Sequence, residues 1–289
     1  MRQTPIGDDD LDNIEIHRHQ LSTTWPYDVI QPPFPPGGNH SLLLPFAETF
    51  ENAFTSMYTR KYRPNHAAGG RLQLWLNDST GEDEPPEEAT AWVETVGKYV
   101  AMQDRLAISF AIDFTCKGGN PNEAKTPIAK LCRAAKPYGN EEVNKEHHKA
   151  AKKLAEKCAE VLAELTCYNT VDCVVAVPPS DPEKAYSLPK LLSAEIAKAR
   201  GIKDFSVFVS TKAKRASIKS KEAAKKLPTL RGTIELKPDK FSGRTVLLID
   251  DLYQSGTTMN YCAKLIHDAG AKSVLGLACV KTCSNDDNF

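Results

Sequence analysis

The stretch Val246–Asn260 reads VLLIDDLYQSGTTMN, and it decides the fold prediction. Thr245–Ile249 is a continuous apolar run, typical of a strand that is buried on both faces of a parallel sheet. Two adjacent carboxylates, Asp250 and Asp251, follow this strand, and a short Ser/Gly/Thr loop then begins a helix. Open α/β sheets bind ligands beyond the carboxyl ends of their strands, so the stretch predicts a ligand site at this point.

The residue types of this stretch suit a ribose that carries a 5′-phosphate. The loop 254–258 can turn backbone N–H groups and hydroxyls toward a phosphate, and the dipole of the following helix attracts the same anion. Gly256 permits a positive φ or a close approach of the ligand. Asp250 and Asp251 accept hydrogen bonds only, which suits the vicinal hydroxyls of a ribose or the ligand shell of Mg²⁺.

Alternating strand and helix patterns surround this stretch and predict an α/β fold. Amphipathic spacing predicts the helices, and apolar runs predict the strands. Such alternation implies a parallel sheet with right-handed crossovers. The predicted strands are 106–114, 172–177, 205–209, 245–249 and 273–280, and the predicted helices are 144–165, 188–200 (closed by Gly201) and 259–269 (closed by Gly270).

The first third of the chain has a different texture. QPPFPPGG at 31–38 and TGEDEPPEE at 80–88 are proline-bearing loops, since proline removes amide donors and fixes φ. Between them, 41–58 has helix-like apolar spacing and 71–76 alternates like a short strand. We therefore divide the chain into an acidic N-terminal extension or small subdomain, 1–103, and an α/β domain, 104–289.

Charge is distributed unevenly along the 289 residues, although the formal net charge is +0. Residues 1–97 hold 6 basic and 15 acidic side chains, whereas 198–226 holds ten basic and two acidic ones. A one-sided basic segment attracts polyanions, either nucleic acid or a small phosphorylated substrate. A solvated lysine face is the alternative interpretation of the same composition.

Composition also excludes several classes of protein. The mean hydropathy of -0.41 and the lack of an apolar run near 18 residues exclude a membrane span. The polar start of the sequence does not resemble a signal peptide. We therefore expect a cytoplasmic protein. Eight cysteines without a CxxC pair predict reduced, buried thiols and no structural zinc site. His17 and His19 form an HxH pair, but no third ligand at metal spacing follows.

Two other motifs give weaker alternatives. VLLIDD resembles the opening of a response-regulator receiver domain, but only 38 residues follow Asp251, too few for the rest of such a domain. GNPNEAKT at 119–126 nearly matches the phosphate-binding pattern GxxxxGK[ST]. Ala124 stands where that pattern requires glycine, and Pro121 removes an amide, so a solvent loop is the better interpretation.

The motif VLLIDDLYQSGTT resembles the phosphoribosyl pyrophosphate (PRPP) binding motif of the type I phosphoribosyltransferases. The wider stretch 172–282 is similar to the ComF-like group, which is associated with DNA uptake competence, and more distantly to amidophosphoribosyltransferases. The similarity extends weakly to 130–155, where KLCRAAKPYGN resembles a lysine-tyrosine segment of ComF-like proteins. The resemblance implies a parallel-sheet, Rossmann-like phosphoribosyltransferase core behind an irregular N-terminal extension.

The resemblance also implies a role for each matching residue. The acidic pair would hold the ribose hydroxyls at the catalytic centre, and Mg²⁺ would arrive with PRPP near that pair rather than on a dedicated protein site. The implied residues are Asp250 and Asp251 for the acidic pair, Gln254, Ser255, Gly256, Thr257 and Thr258 for the 5′-phosphate loop, Pro179, Ser180 and Asp181 for the pyrophosphate loop, and Lys212, Lys214 and Arg215 for a mobile basic loop.

The implied activity is transfer of the phosphoribosyl group from PRPP to a base or an amine, and the implied assembly is a homodimer. Three departures qualify the resemblance: the cysteine-rich zinc module and the arginine-glycine signature of ComF-like proteins are absent, and Gln254 replaces the aspartate of purine-salvage members. A non-enzymatic sensor of PRPP or a nucleotide therefore stays open. So does a DNA-associated interaction module, with a nucleic acid or protein partner on the basic segment or the N-terminal extension.

Overall fold

The structure is a computed structural model of the chain. It describes residues 3, 5–7, 10–11, 17–19, 27–29, 40–66, 70–76, 85–139, 141–214 and 223–283. The predicted loop at 31–38, most of the predicted loop at 80–88 and Arg215 lie outside the described residues.

Strands and helices alternate through most of the described chain. The strands are β1 (His17–His19), β2 (Tyr27–Val29), β3 (His40–Leu44), β4 (Tyr62–His66), β5 (Leu72–Leu76), β6 (Val100–Gln103), β7 (Ile108–Phe114), β8 (Cys173–Ala176), β9 (Lys203–Asp204), β10 (Val209–Thr211), β11 (Ile234–Leu236), β12 (Thr245–Tyr253) and β13 (Ser273–Lys281). The helices are α1 (Phe50–Met57), α2 (Glu87–Val96), α3 (Pro127–Ala134), α4 (Lys145–Glu164), α5 (Leu188–Arg200), α6 (Ala223–Leu230) and α7 (Thr257–Asp268).

A seven-stranded sheet in the order β1-β6-β7-β13-β12-β8-β9 forms the centre of the molecule. The five strands from β7 to β9 are parallel, and β6 and β1 add an antiparallel edge. The predicted α/β fold with a parallel sheet is thus confirmed. After β8, the chain adds β9 on one side of β8 and later adds β12 on the opposite side of β8. The direction in which strands are added therefore reverses between β8 and β12. Such a switch point is where doubly wound sheets bind ligands.

Helices cover both faces of this sheet. Along β12, Leu247 and Ile249 pack into the core under α3, α4 and α5, whereas Val246 and Leu248 pack into the core under α7. Side chains of a strand alternate between faces, and burial on both faces explains why the sequence of β12 is apolar without alternation.

Local signals in the sequence mark the helix ends well. The side chain of Asn144 accepts hydrogen bonds from two backbone N–H groups at the start of α4, and Gly201 takes a φ of 66° at the end of α5. Both helices lie where the sequence predicts them. Helix α7 begins two residues before its predicted start, because Gly256 with its φ of 69° is the turn that precedes it.

Two predicted elements are wrong. The segment 205–209 is not a strand: a 3-10 turn covers Ser206–Phe208, and β10 follows it and pairs with β11 in a separate sheet. The side chain of Asp204 accepts hydrogen bonds from the backbone N–H and the hydroxyl of Ser206, which favours a turn. The segment 41–58 is not one helix, because its first residues pair as β3 with β2 and β5 before α1 begins.

The N-terminal region packs against the rest of the chain. Strands β2, β3, β5 and β4 form an antiparallel sheet, and its apolar face together with α1 and α2 belongs to the same hydrophobic core as α4 and α5. All eight cysteines are free and buried, as predicted. Within the described residues, no helix has the length and apolarity needed to cross a membrane.

Candidate active site

The carboxyl end of β12 opens a cavity at the switch point. Strand β8 pairs with β12 as far as Ala176 opposite Ile249, but β12 continues to Tyr253 beside β13. The strand is therefore four residues longer than predicted, and one edge of this extra segment is left without a neighbouring strand. A cavity of about 860 Å³ lies there, lined by the end of β12, the loop after it, the loop after β8 and the segment after α3.

Asp250 and Asp251 both line this cavity, as the motif predicts, but their surroundings differ. The carboxylate of Asp251 lies beside the segment after α3, where it pairs with Lys136. The carboxylate of Asp250 accepts a hydrogen bond from the backbone N–H of Asp251 at 2.8 Å. Asp251 is only 9% exposed. The two carboxylates therefore have different partners, although they are adjacent in the sequence.

The five residues of the predicted 5′-phosphate loop also line the cavity. Gly256 lies in the left-handed region, and α7 begins directly after it without a side-chain cap. The hydroxyls of Ser255 and Thr257 lie 2.9 Å apart. Uncapped backbone N–H groups at a helix N-terminus, beside two hydroxyls, suit a bound phosphate.

A buried polar network supports this loop from below. Tyr253 donates its hydroxyl proton to Asp104 at 2.8 Å, and Asn260 donates to the Tyr253 oxygen at 3.3 Å and to the carbonyl of Gly256 at 3.0 Å. Burial raises the pKa of Asp104 to about 6, although the hydrogen bonds from Tyr253 and Leu106 oppose that rise. The sequence alone does not indicate that Asp104 and Asn260 support this loop, because no local pattern marks a contact between distant segments.

The predicted pyrophosphate loop is only partly at the cavity. Pro179 and Ser180 line it, and the carbonyl of Pro179 accepts a hydrogen bond from the hydroxyl of Thr211 at 2.6 Å. Asp181 instead forms an ion pair with Lys214 at 2.9 Å. The hydrogen bond from Lys214 lowers the pKa of Asp181, and the same bond raises the pKa of Lys214.

The predicted basic loop stands apart from the cavity in this structure. Lys212 donates its backbone N–H to the carbonyl of Thr233 at 2.9 Å, and the side chain of Lys214 is 79% exposed. Neither lysine lines the cavity, and Arg215 lies outside the described residues. Lys214 nevertheless contacts the loop after β8 through Asp181.

A lysine that the sequence analysis did not assign completes the site. Lys136 follows α3, lines the cavity and forms an ion pair with Asp251, with 2.5 Å between Nζ and Oδ2. The thiol of Cys132, also on α3, donates to the backbone carbonyl of Asp251 at 3.4 Å. The only sequence signal for Lys136 is its place in KLCRAAKPYGN, the segment that resembles the lysine-tyrosine segment of ComF-like proteins.

The residues at the cavity fit Mg²⁺ that arrives with a phosphorylated ligand. Mg²⁺ prefers oxygen ligands and usually takes one or two carboxylates together with water and substrate phosphates. Asp250 and Asp251 supply two carboxylates at the cavity. Among the described residues there is no cluster of three His, Cys, Asp or Glu side chains that could hold a metal by itself.

Part of the chain is similar to known proteins. Residues 145–284 match the family model described as a phosphoribosyl transferase domain. The chain is similar to an adenine phosphoribosyltransferase from Thermoanaerobacter pseudethanolicus (19% identity, TM-score 0.30, 46% of this chain and 81% of that chain). It is also similar to a hypoxanthine phosphoribosyltransferase from Staphylococcus aureus (12% identity, TM-score 0.28, 45% of this chain and 62% of that chain). The search of curated proteins gives no match. Residues 145–284, which include β8, β12 and α7, are therefore similar to a phosphoribosyl transferase domain.

Proposed function

We propose that the protein binds PRPP with Mg²⁺ and transfers the phosphoribosyl group to a nitrogen nucleophile, either a base or an amine. One observation carries the proposal. A single cavity at the switch point of the sheet collects the acidic pair, an uncapped helix N-terminus with two hydroxyls, and the loop after β8. Those three groups suit a ribose, a 5′-phosphate and a diphosphate.

The reaction would be a displacement at C1′ of the ribose. The lone pair of the nitrogen forms the new N–C1′ bond, the C1′–O bond breaks, and pyrophosphate leaves with its electron pair. A nitrogen that carries a proton then loses it to solvent, whereas a pyridine-type nitrogen keeps the positive charge. Asp250 and Asp251 would hold the ribose hydroxyls, and 254–258 would hold the 5′-phosphate. Mg²⁺, when bound, would neutralise part of the charge on the departing diphosphate.

The loop after β8 would receive the pyrophosphate. Pro179 and Ser180 line the cavity at that place, and Lys212, Lys214 and Arg215 lie on the segment that we propose closes over it. Closure requires Lys214 to leave Asp181, its present partner. The ion pair is exposed, and exposed pairs contribute little to stability, so this exchange costs little free energy.

Calorimetric titration with PRPP and Mg²⁺, followed by an assay for pyrophosphate release, tests the proposed function. Binding with turnover in the presence of an acceptor supports the enzyme. Binding without turnover for any acceptor class supports the alternative, a non-enzymatic sensor on the same fold. Absence of PRPP binding by a protein that unfolds cooperatively contradicts both.

The basic loop separates an enzyme from a nucleic-acid module. If it closes over pyrophosphate, replacing Lys212, Lys214 and Arg215 by Ala should weaken PRPP binding far more than ribose 5-phosphate binding. If it contacts DNA instead, the same change should abolish a salt-sensitive DNA shift and leave PRPP binding intact. The finer assignments, namely a ComF-like subgroup, a homodimer and a cytoplasmic location, are parts of the same proposal.

A further inference from the structure

The cavity has one wall that the proposed PRPP contacts leave unused. The 5′-phosphate loop and the first residues after β8 form two walls, and the third comes from the segment after α3 and the residues just before α5. Lys136, Tyr138, Lys184 and Tyr186 lie on this third wall. If PRPP occupies the first two walls, the acceptor must reach C1′ from the third.

Lys136 is held firmly in this wall. The hydroxyl of Tyr186 donates to the carbonyl of Ala135, the residue before Lys136, and the thiol of Cys132 donates to the carbonyl of Asp251. The side chain of Lys136 is 23% exposed and that of Asp251 is 12% exposed. The ammonium group is therefore fixed at the rim of the proposed ribose site.

The ammonium of Lys136 has more hydrogen-bonding capacity than Asp251 uses. Burial alone would lower its pKa, but the charge and the hydrogen bond of Asp251 raise it above the usual value, so Lys136 is protonated at neutral pH. An ammonium carries three N–H donors. Within the described part of the chain, the ammonium of Lys136 forms its ion pair with Asp251, and Lys136 lines the cavity.

Charge balance then constrains the acceptor. In the proposed displacement, positive charge develops at the ribose while Asp251 turns toward the ribose hydroxyls. The ammonium of Lys136 then has less negative charge beside it, and its positive charge would repel the positive charge that develops on the ribose. A negative group on the acceptor would restore the balance and accept the remaining N–H donors, whereas a neutral acceptor would not.

The shape of the third wall favours a flat acceptor. Tyr138 and Tyr186 line the cavity, and aromatic rings pack well against other planar rings. The guanidinium of Arg133 lies over the ring of Tyr138, 4.9 Å from its centroid, and adds positive charge near this wall. Glu141, an acidic residue of this wall, has its carboxylate 3.4 Å from Nε2 of His147, whose Nδ1 accepts a hydrogen bond from the backbone N–H of Asn144.

We infer that the acceptor is a planar ring bearing a negative charge, such as a carboxylate, and that Lys136 selects it by exchanging part of its contact with Asp251 for the acceptor. This inference rests on the proposed function. It assigns a specificity-determining role to a residue that lies outside the matched residues 145–284.

Matched pairs of rings that differ in charge test this inference. We would titrate the PRPP-saturated protein with nicotinate and nicotinamide, and with orotate and uracil. We expect the anion of at least one pair to bind about tenfold or more tightly, as for a charge-assisted hydrogen bond. Lys136→Met should remove this preference and Lys136→Arg should keep most of it. Lys130→Met, the same change at an exposed position of α3, should leave it unchanged.

Each outcome decides one of the two proposals. Affinity for ribose 5-phosphate shows that a variant site is folded. PRPP binding without any preference for the anions, or a preference that survives in Lys136→Met, overturns the inference and leaves the proposed function standing. Failure of the unmodified protein to bind PRPP overturns the proposed function, and the inference with it.

Discussion

Asp250 and Asp251 are neighbours in sequence with different electrostatic surroundings. Asp251 has a cation, Lys136, at 2.5 Å, whereas Asp250 accepts a hydrogen bond from the backbone N–H of Asp251. Removing one partner of a largely buried pair leaves the other charge without compensation. The two aspartates should therefore respond differently to the same substitution.

Asp250→Asn and Asp251→Asn should each weaken PRPP binding by about tenfold to hundredfold. Each change removes charge-assisted hydrogen bonds to ribose, typically worth ~1.5–3 kcal/mol. Asp251→Asn should also lower the free energy of unfolding by about 1 kcal/mol or more, because Lys136 loses its counter-charge. Asp250→Asn should lower stability less than Asp251→Asn does, because an amide oxygen can still accept the hydrogen bond from the backbone N–H of Asp251. Calorimetry and thermal unfolding without ligand measure the two effects.

The double variant Lys136→Met with Asp251→Asn is the control, and it should recover most of the stability lost in Asp251→Asn, since both charges are then absent. Normal PRPP affinity in both single variants would show that the acidic pair is structural. An unchanged melting temperature in Asp251→Asn would show that the ion pair contributes nothing to folding.

Gln254 should exclude the 6-oxopurines as acceptors. Its side chain is neutral and cannot take up a proton from a purine ring nitrogen as a carboxylate can. We expect negligible nucleotide formation from hypoxanthine or guanine with PRPP and Mg²⁺, measured by chromatography of the products. Gln254→Asp supplies the carboxylate, and purine turnover should appear first in that variant. Robust turnover of either base by the unmodified protein would contradict this prediction.

At the scale of elements, the loop between β12 and α7 is anchored at both ends. Tyr253 reaches Asp104 before β7, and Asn260 holds both the carbonyl of Gly256 and the backbone N–H of Arg105. The link between β6 and β7 therefore positions the proposed phosphate loop, although it lies outside the family match at 145–284.

This anchor should make stability depend on pH. The folded-state pKa of Asp104 is about 6, above the ordinary value of about 3.9, so the folded protein binds the proton more tightly than the unfolded chain does. The contribution of Asp104 is therefore most favourable below about pH 4 and is lost as the pH rises through about 6. Urea unfolding between pH 4 and 7.5 should show this fall.

Asp104→Asn removes the titration and should flatten that part of the profile. Asp268→Asn, at an exposed position of α7 whose partner is Lys264, is the matched control and should keep the slope. An unchanged slope in Asp104→Asn would assign the pH dependence to another group.

The sequence predicts the elements better than it predicts the contacts between them. The apolar run of β12 and the cap of α4 are local signals, because burial and capping leave their mark on adjacent residues. Tyr253 and Asp104 lie 149 residues apart, and Cys132 and Asp251 lie 119 apart, so the fold alone brings them together. The sequence does not predict the turn at Ser206, because the surrounding residues favour a strand. The side chain of Asp204 stabilises the turn instead, through its hydrogen bonds with Ser206.

At the scale of the whole molecule, the N-terminal region and the α/β domain share one core. Strand β6 joins the central sheet, and the hydroxyl of Tyr99 lies 2.8 Å from the carboxylate of Glu164 on α4. Asn52 on α1 donates to the carbonyl of Ala107, just before β7, at 2.8 Å. Apolar residues of α1 and α2 belong to the same buried cluster as those of α4. We therefore propose that the regions on either side of residue 103 unfold as one cooperative unit.

The tryptophans allow a direct test of this cooperativity. Trp25, Trp75 and Trp92 all lie before residue 104, so their fluorescence reports the N-terminal region alone. Leu162 is fully buried on α4, and Leu162→Ala should cost about 2–5 kcal/mol. In urea, the fluorescence midpoint of this variant should fall together with the midpoint seen by far-UV circular dichroism, because a two-state unit gives coincident transitions. Lys152→Ala, at an exposed position of α4, should leave both midpoints in place. A fluorescence midpoint that stays at its original value in Leu162→Ala would mean that residues 1–103 fold independently of the domain that carries the proposed site.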